Sequence, residues 1–120
     1  MKHWHAGQGW RIGWDTDEHI GLLGADTWAF ELSADEFQEF CRLAIALQEN
    51  MQAIASELSD QETVTLEMTS ELLTLVGEGV PGSFTLYLQL LRPRRAEGSW
   101  AEEAIPELML AIDTLKSSCF

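Results

Sequence analysis

Residues 28–44 read WAFELSADEFQEFCRLA, and the spacing of their apolar residues changes at Ser33. From residue 28 to residue 32 every second side chain is large and apolar, which predicts a strand with one buried face. After Ser33 the apolar residues return every three or four positions, which is the period of an amphipathic helix. Ser33 and Glu36 have the spacing of a capping box, in which each side chain accepts a hydrogen bond from the other residue's backbone N–H. We therefore predict a strand that ends near Ser33 and a helix that begins directly after it.

The predicted helix is long for a chain of this size. Its apolar stripe continues from Phe37 to Leu58, which indicates about 25 residues and roughly 37 Å of helix. Strands of a small sheet run about 20–27 Å, so one end of the helix is expected to extend past its sheet. That end either lies in solvent or packs against a second subunit.

Two groups of strands flank this helix. Residues 9–15 alternate apolar and polar side chains and are predicted to pair with residues 28–32 as a hairpin that contains a loop. Residues 62–91 contain three more alternating segments, separated by a short turn and by a loop over residues 77–82. They predict a three-stranded antiparallel meander.

A second capping box is predicted near the C-terminal end of the chain. Ser99 and Glu102 have its spacing, and apolar residues at helical intervals follow as far as Leu115. Pro106 lies inside this helix and lacks a backbone N–H, so we expect a kink or a short turn that restarts near Pro106. The predicted order is β-β-α-β-β-β-α in a single domain, residues 1–120. This order indicates an α+β fold, in which a twisted antiparallel sheet packs against the long helix and the C-terminal helix.

The composition excludes several kinds of protein. With 46% hydrophobic residues, the chain is too apolar to be a disordered acidic tail, despite its formal net charge of −13. A charge of that size repels nucleic-acid phosphates and anionic membrane surfaces, so we expect neither nucleic acid nor a membrane as a partner. No apolar stretch approaches the roughly 20 residues of a membrane-spanning helix, and the N-terminal residues do not resemble a signal peptide. A cytoplasmic protein is therefore expected.

The sequence carries no recognisable set of catalytic or metal-binding residues. The three histidines, His3, His5 and His19, lack the helical spacing and the cysteine partners that are typical of a metal site. Motifs for phosphate binding and for a nucleophilic serine are absent as well. We therefore expect no catalytic residue, no metal and no cofactor, and we predict that the protein is not an enzyme.

Three of the seven basic residues fall within four positions, as Arg92, Arg94 and Arg95. The guanidinium group of arginine suits paired hydrogen bonds to a carboxylate or another anion. This segment, with Trp100 close behind it, is therefore a candidate binding site for an anionic ligand or for a partner that bears carboxylates. The alternative is that these arginines pair with acidic groups of the chain's own surface.

Four of the five tryptophans lie in the first 28 residues. Trp10, Trp14 and Trp28 are predicted to line the core between sheet and helix, although several indoles on one hairpin could also form a stacking platform. Trp4 is the tryptophan expected at the surface, which makes it a further candidate binding residue.

Three segments of the chain together resemble a known family. They are Gly9–Trp14, Asp26–Leu32 and Arg94–Trp100, and the resemblance extends over nearly the whole chain. The family, a domain of unknown function, consists of uncharacterised proteins of about this length from cyanobacteria, with plastid relatives in plants. The resemblance implies a fold similar to that of the Whirly-type single-stranded-DNA-binding transcriptional regulators, in which a twisted antiparallel sheet is followed by a helix.

These observations favour a small acidic protein-interaction module of a photosynthetic organism. We predict that it forms a homodimer through its helices and binds an unidentified protein partner. The alternative is a single-stranded nucleic-acid-binding regulator related by fold descent. In that case Trp4 would stack on bases, and Arg92, Arg94 and Arg95 would contact phosphates.

Overall fold

The computed structural model describes residues 1–59, 61–91 and 94–119, with side chains through Ser117. The first half contains β1 (Lys2–Gly7), β2 (Trp10–Asp15), β3 (Ile20–Gly24), β4 (Ala29–Ser33) and α1 (Ala34–Ala55). The second half contains β5 (Val64–Thr69), β6 (Leu73–Val80), β7 (Ser83–Leu90), β8 (Glu97–Trp100), a 3-10 turn (Glu102–Ala104) and α2 (Ile105–Cys119). Each group of four strands is an antiparallel meander, so the first sheet has the order β1-β2-β3-β4 and the second β5-β6-β7-β8.

The predicted α+β class is confirmed, with helices that follow groups of antiparallel strands. The predicted order β-β-α-β-β-β-α omits three strands, β1, β3 and β8, and the described strands form two sheets rather than one. The chain thus contains the same arrangement twice, four strands and then a helix.

Strand β3 shows why the sequence pattern alone predicts too few strands. Gly21 and Gly24 interrupt its apolar residues and suggest a loop, yet both glycines pair with neighbouring strands. A Cβ atom at Gly21 would lie 2.2 Å from Cδ1 of Phe37. The glycine therefore lets α1 approach the strand closely, and a residue typical of loops is required inside the sheet.

The first capping box is confirmed. The Ser33 N–H donates to Oε1 of Glu36 at 2.8 Å, and the Glu36 N–H donates to the Ser33 hydroxyl oxygen at 3.2 Å. The helix has 22 residues and ends at Ala55, three residues before the predicted end. Met51 is its last buried residue, and the exposed large apolar side chains of the described chain (Met1, Trp4 and Leu110) lie elsewhere. The end of α1 therefore offers little apolar surface to a second subunit.

The second capping box is wrong. Ser99 and Trp100 belong to β8, where Trp100 pairs with Leu86 of β7. The 3-10 turn that follows has Ala101 as its N-cap, which provides no side-chain hydrogen bond. Helix α2 begins only at Ile105, so Pro106 lies in its first turn, where no intrahelical N–H is needed. The predicted restart near Pro106 is confirmed.

Both helices join the two sheets into one hydrophobic core. Helix α1 packs on β3 and β4 of the first sheet and on β5 and β6 of the second, while α2 packs on β1, β2 and β7. We call the faces that meet these helices the inner faces. Trp10 and Trp14 are buried there, as predicted, and Trp28 is partly buried at the edge of the core. The described helices leave the opposite, outer face of each sheet to solvent.

Candidate functional site

Arg94 of the predicted arginine cluster is engaged within the fold. Its Nη1 donates to the backbone carbonyl of Glu31 in β4, and its Nη2 donates to Oε1 of Glu36, each at 2.5 Å. Glu36 is buried, and the same oxygen atom also closes the capping box with Ser33. Arg94 therefore ties the segment before β8 to β4 and to the first turn of α1. For this arginine, pairing with the chain's own acidic groups is what the structure shows.

The other two arginines of the cluster differ from Arg94. Arg92 lies outside the described residues. Arg95 is exposed, has a positive φ of 52°, and makes no hydrogen bond or ion pair within the described part of the chain. It lies beside the end of β7, next to Gln89 and Leu91. Arg95 is therefore available to an anion, but no hydrogen bond or ion pair with a described residue orients its side chain.

Trp100 is placed in the core and not at the surface. Only 1% of it is exposed, and its indole N–H donates to the carbonyl oxygen of Gly24 at 2.9 Å. Its ring centroid lies 5.0 Å from that of Trp28 and 5.7 Å from that of Phe40. To bind a ligand beside the arginines, Trp100 would have to be at the surface, whereas its side chain is buried. The reason is its register: Trp100 is on the inner face of β8 and connects the second sheet to the first.

Trp4 is exposed, as the sequence predicts, and stands on the outer face of the first sheet with 49% of its surface accessible. The register places Trp4, Gly13, Leu22 and Glu31 side by side across β1 to β4. A Cβ atom at Gly13 would lie 1.5 Å from Cε3 of Trp4, so the indole lies flat over this glycine. Because any side chain at position 13 would displace the ring, Gly13 fixes the position of Trp4 on the sheet.

One hollow lies beside the indole and a second lies at the edge of the first sheet, and we call the two together the Trp4 groove. The first has a volume of about 240 Å³ and lies between Trp4, Lys2, Glu18, Leu22 and Glu31. The second has about 400 Å³ and reaches the first turn of α1. Ile20 and Glu31 line both hollows, so the two hollows adjoin and together reach from β1 to the edge of the first sheet. Its far end is bounded by Asp35, Leu72 and Arg94.

The groove carries more negative than positive charge. Asp15 is buried and accepts hydrogen bonds from the backbone N–H groups of Asp17 and Glu18. The Glu36 carboxylate is held by Arg94, as described above. The remaining carboxylates of the groove, on Glu18, Glu31 and Asp35, make no hydrogen bond or ion pair with any described residue. Against them stands the ammonium group of Lys2, which is likewise unpaired in the described chain.

The outer face of the second sheet differs from that of the first. Its side chains are mainly threonine and glutamate, and no large apolar residue among those described is exposed on it. Tyr87 lies there, and its hydroxyl donates to Oε2 of Glu97 at 2.6 Å. This hydrogen bond raises the pKa of the Tyr87 phenol above its usual value, because the ionised phenol would lose the bond and face the carboxylate. The face is polar and internally paired, so it offers less to a partner than the Trp4 groove.

A third hollow lies on the other side of the molecule. It has a volume of about 330 Å³ and separates the end of α1 from the β6–β7 turn and the start of α2. Gln48, Gln52, Ser83 and Glu102 contribute polar groups to it.

Within the described ranges, no three His, Cys, Asp or Glu side chains come together as a metal site would require. None of the described helices has both the length and the apolar character needed to cross a bilayer.

Sequence reasoning located Trp4 but missed its neighbours. Glu18, Leu22 and Glu31 come from the β2–β3 turn, β3 and β4, and only the pairing of these strands brings them beside Trp4. The sequence does contain one signal for the site: Gly13 lies inside a strand, between Ile12 and Trp14. A glycine there indicates that another group lies against the backbone.

Comparisons with known proteins identify a family of unknown function and a similar fold. Residues 5–115 match the DUF1818 family, described as a domain of unknown function. The fold is similar to that of a crystal structure of a protein with unknown function, labelled as DUF155 family, from Prochlorococcus sp. NATL2A. That structure is 26% identical, has a TM-score of 0.87, and the match covers 96% of this chain and 98% of the other. No curated protein matches the sequence. The chain therefore belongs to the DUF1818 family, whose function is unknown.

Proposed function

We propose that this protein is a non-catalytic protein-interaction module and that it binds its partner through the Trp4 groove. The observation that carries the proposal is a half-exposed indole on an uncovered sheet face. Tryptophan is enriched among the residues that contribute most to protein interfaces, and it is costly to leave in water. Covering the accessible half of Trp4 would remove about 100 Å² of surface from water, which corresponds to about 2.5 kcal/mol.

The position of Trp4 also supports the proposal. Gly13 has no side chain that would lift the ring, so the indole already lies against the sheet in the absence of a partner. A side chain that is already fixed loses little conformational entropy on binding. Trp4 lies outside the inner-face core, and the half of its surface that does not face the sheet is left for a partner.

Replacing Trp4 by alanine is expected to abolish partner capture. The immobilised protein is incubated with an extract of its native cell, and captured proteins are quantified by mass spectrometry. Proteins bound by the wild type should fall by at least about tenfold on W4A. The Tm should change by less than about 4 °C, because the residue lies outside the core.

The control for this experiment is L110A. Leu110 is the other large apolar side chain exposed within a described element, with 68% of its surface accessible, and it lies on α2. The L110A variant should retain the captured proteins even if it weakens a dimer formed through the helices, because no residue of α2 lines the Trp4 groove. Retention by W4A together with loss by L110A would move the binding surface from the first sheet to α2 and contradict the proposal.

We also propose that the module forms a homodimer through its helices. Leu110 supports this, since α2 carries it on its solvent side while the described part of α1 exposes no large apolar side chain. Sedimentation equilibrium is expected to show a dimer at high micromolar concentration, and L110E should shift it toward the monomer. A wild-type protein that remains strictly monomeric under these conditions would contradict the dimer.

We propose that the protein is located in the cytoplasm of a photosynthetic organism, on the basis of the family resemblance given above.

A second candidate function is single-stranded nucleic-acid binding. It is favoured by Trp4 on an open antiparallel sheet, a geometry on which bases can stack, with Lys2 beside it. The likeness to the Whirly-type fold, which the family resemblance implies, is part of the same proposal. Fluorescence anisotropy with labelled single-stranded oligonucleotides at low salt tests it. Electrostatic binding is strongest at low salt, so an unchanged anisotropy there at about 20 μM protein would contradict this function.

A further inference from the structure

We propose that the Trp4 groove binds a basic segment of a protein partner, with one lysine or arginine side chain stacked on the Trp4 indole and paired with Glu18 and Glu31. The inference rests on the proposed function, since it names the chemistry of the partner at the same surface. It follows from the charge of the groove and from the position of the indole relative to the unpaired carboxylates.

The first step is the charge of the groove. Glu18, Glu31 and Asp35 lack an internal cation within the described residues, although the protein provides one for the Glu36 carboxylate beside them. Two carboxylates of the same groove, on Asp15 and Glu36, are satisfied by the fold, so the unpaired three are the ones left for a ligand. A basic segment complements them, whereas an acidic segment would meet like charge.

The second step is geometric. Neighbouring strands lie about 4.8 Å apart, so the backbones of β1 and β4 are separated by about 14 Å. The Trp4 ring spans part of this distance, because it lies over Gly13 of β2. Strand β3 lies between the ring and Glu31, and its residue at this position is Leu22. Trp4 and Glu31 line the same hollow, so a cationic head group inside it can contact the ring and the Glu31 carboxylate together, while its methylene groups contact Leu22.

The third step concerns the kind of cation. An indole face attracts a lysine or arginine head group, and a carboxylate at the far edge of the ring adds to this attraction. The aliphatic stem of such a side chain needs an apolar surface, which Ile20 and Leu22 supply. A metal ion would need several oxygen atoms around one point, and no such cluster occurs among the described residues. The groove thus fits an organic cation on a long apolar stem.

The groove is longer than one side chain. Beyond Glu31 it continues to Asp35 and Leu72 at the first turn of α1. A second basic residue of the partner can pair with Asp35. A short extended segment with basic residues at alternate positions would meet these requirements, because its alternate side chains point to the same face.

The test uses the full chain and defined peptides. In ¹H–¹⁵N spectra the protein should give five indole N–H signals, one for each tryptophan, and the Trp4 signal is the one absent from W4F. The probes are blocked octapeptides that alternate serine with arginine, with glutamate or with glycine, and a single-stranded octanucleotide. The arginine peptide is expected to shift the Trp4 signal saturably, and the other three probes to leave it in place.

Three variants separate groove binding from attraction to the protein's overall negative charge. E31Q should raise the Kd of the arginine peptide by about three- to fivefold. E49Q, which removes the same charge from an exposed position on α1, should change it by less than half of that. K2Q removes the unpaired cation of the groove and should lower the Kd. Equal effects of E31Q and E49Q, or a weaker complex with K2Q, would overturn the inference.

The inference and the proposed function fail in different ways. If W4A loses its captured proteins while the arginine peptide leaves the Trp4 signal unmoved, the groove is the binding surface and the basic segment is wrong. If the arginine peptide binds at Trp4 but W4A still captures every protein, the proposed function fails at this surface. A shift caused by the glutamate peptide or by the octanucleotide would overturn the choice of a basic partner.

Discussion

Replacing Trp100 by alanine is expected to lower the free energy of unfolding by about 4 kcal/mol, which is a large part of the stability of a domain of this size. The indole is 1% exposed and contacts Trp28 and Phe40, so its removal leaves a cavity where the two sheets meet. The carbonyl oxygen of Gly24 would also lose the hydrogen bond that the indole donates. Urea unfolding followed by circular dichroism measures the change.

The variant W100F separates packing from hydrogen bonding. It keeps an aromatic ring but no N–H, so about 1–2 kcal/mol of destabilisation is expected from the unpaired Gly24 carbonyl and the smaller ring. W4F serves as the matched control and should stay within about 0.5 kcal/mol of the wild type. If W100A changed stability as little as W4F, Trp100 would not be a core residue. A folded W100F that failed to bind the arginine peptide would return Trp100 to the binding site.

The parts of the fold that the sequence predicted are those decided by neighbouring residues. The capping box of Ser33 and Glu36 lies within four positions, and both of its hydrogen bonds form. The change from a period of two to a period of three or four at Ser33 likewise marks the junction of β4 and α1. Pro106 restricts its own backbone, so the late start of α2 could also be anticipated.

The strands that were missed depend on contacts between distant residues. Gly21 reads as a loop residue until Phe37 is known to lie against it. Ser99 of β8 and Glu102 of the 3-10 turn after it have the spacing of a helix cap, and only the pairing of β8 with β7 shows that Ser99 lies in a strand. Local patterns cannot distinguish these cases, because the deciding neighbour lies far away in the chain.

The same limit applied to the candidate site. The exposure of Trp4 could be anticipated because it lies outside the main apolar alternation. The groove beside it could not, because Glu18 and Glu31 reach it from other strands and turns. The arginine cluster shows the reverse case: its three cations are close in sequence, but Arg94 has its partner 58 residues away in Glu36.

Replacing Arg94 by methionine is expected to lower the free energy of unfolding by about 2 kcal/mol. The Glu36 side chain is 6% exposed and that of Arg94 is 43% exposed, so the pair lies between a buried and a surface salt bridge. Loss of the guanidinium leaves a buried carboxylate without a counter-ion and the Glu31 carbonyl without a donor. Denaturant unfolding of R94M at low and at high salt measures the loss, which should be smaller at high salt.

A double-mutant cycle assigns this loss to the pair itself. E36Q keeps an oxygen atom that can accept from the Ser33 N–H, and R94M combined with E36Q should cost about 1 kcal/mol less than the sum of the two single changes. The exposed pair of Arg42 and Glu39 on the same helix is the control, with a coupling of about 0.3 kcal/mol expected from R42M and E39Q. Both cycles remove one arginine and one glutamate, and the two pairs differ in burial and in sequence separation, which is 58 residues for Arg94 and Glu36 and three for the control. A coupling for Arg94 and Glu36 no larger than the control would mean that Arg94 is not held by the fold, and the arginine segment would again be a candidate site for an anionic ligand.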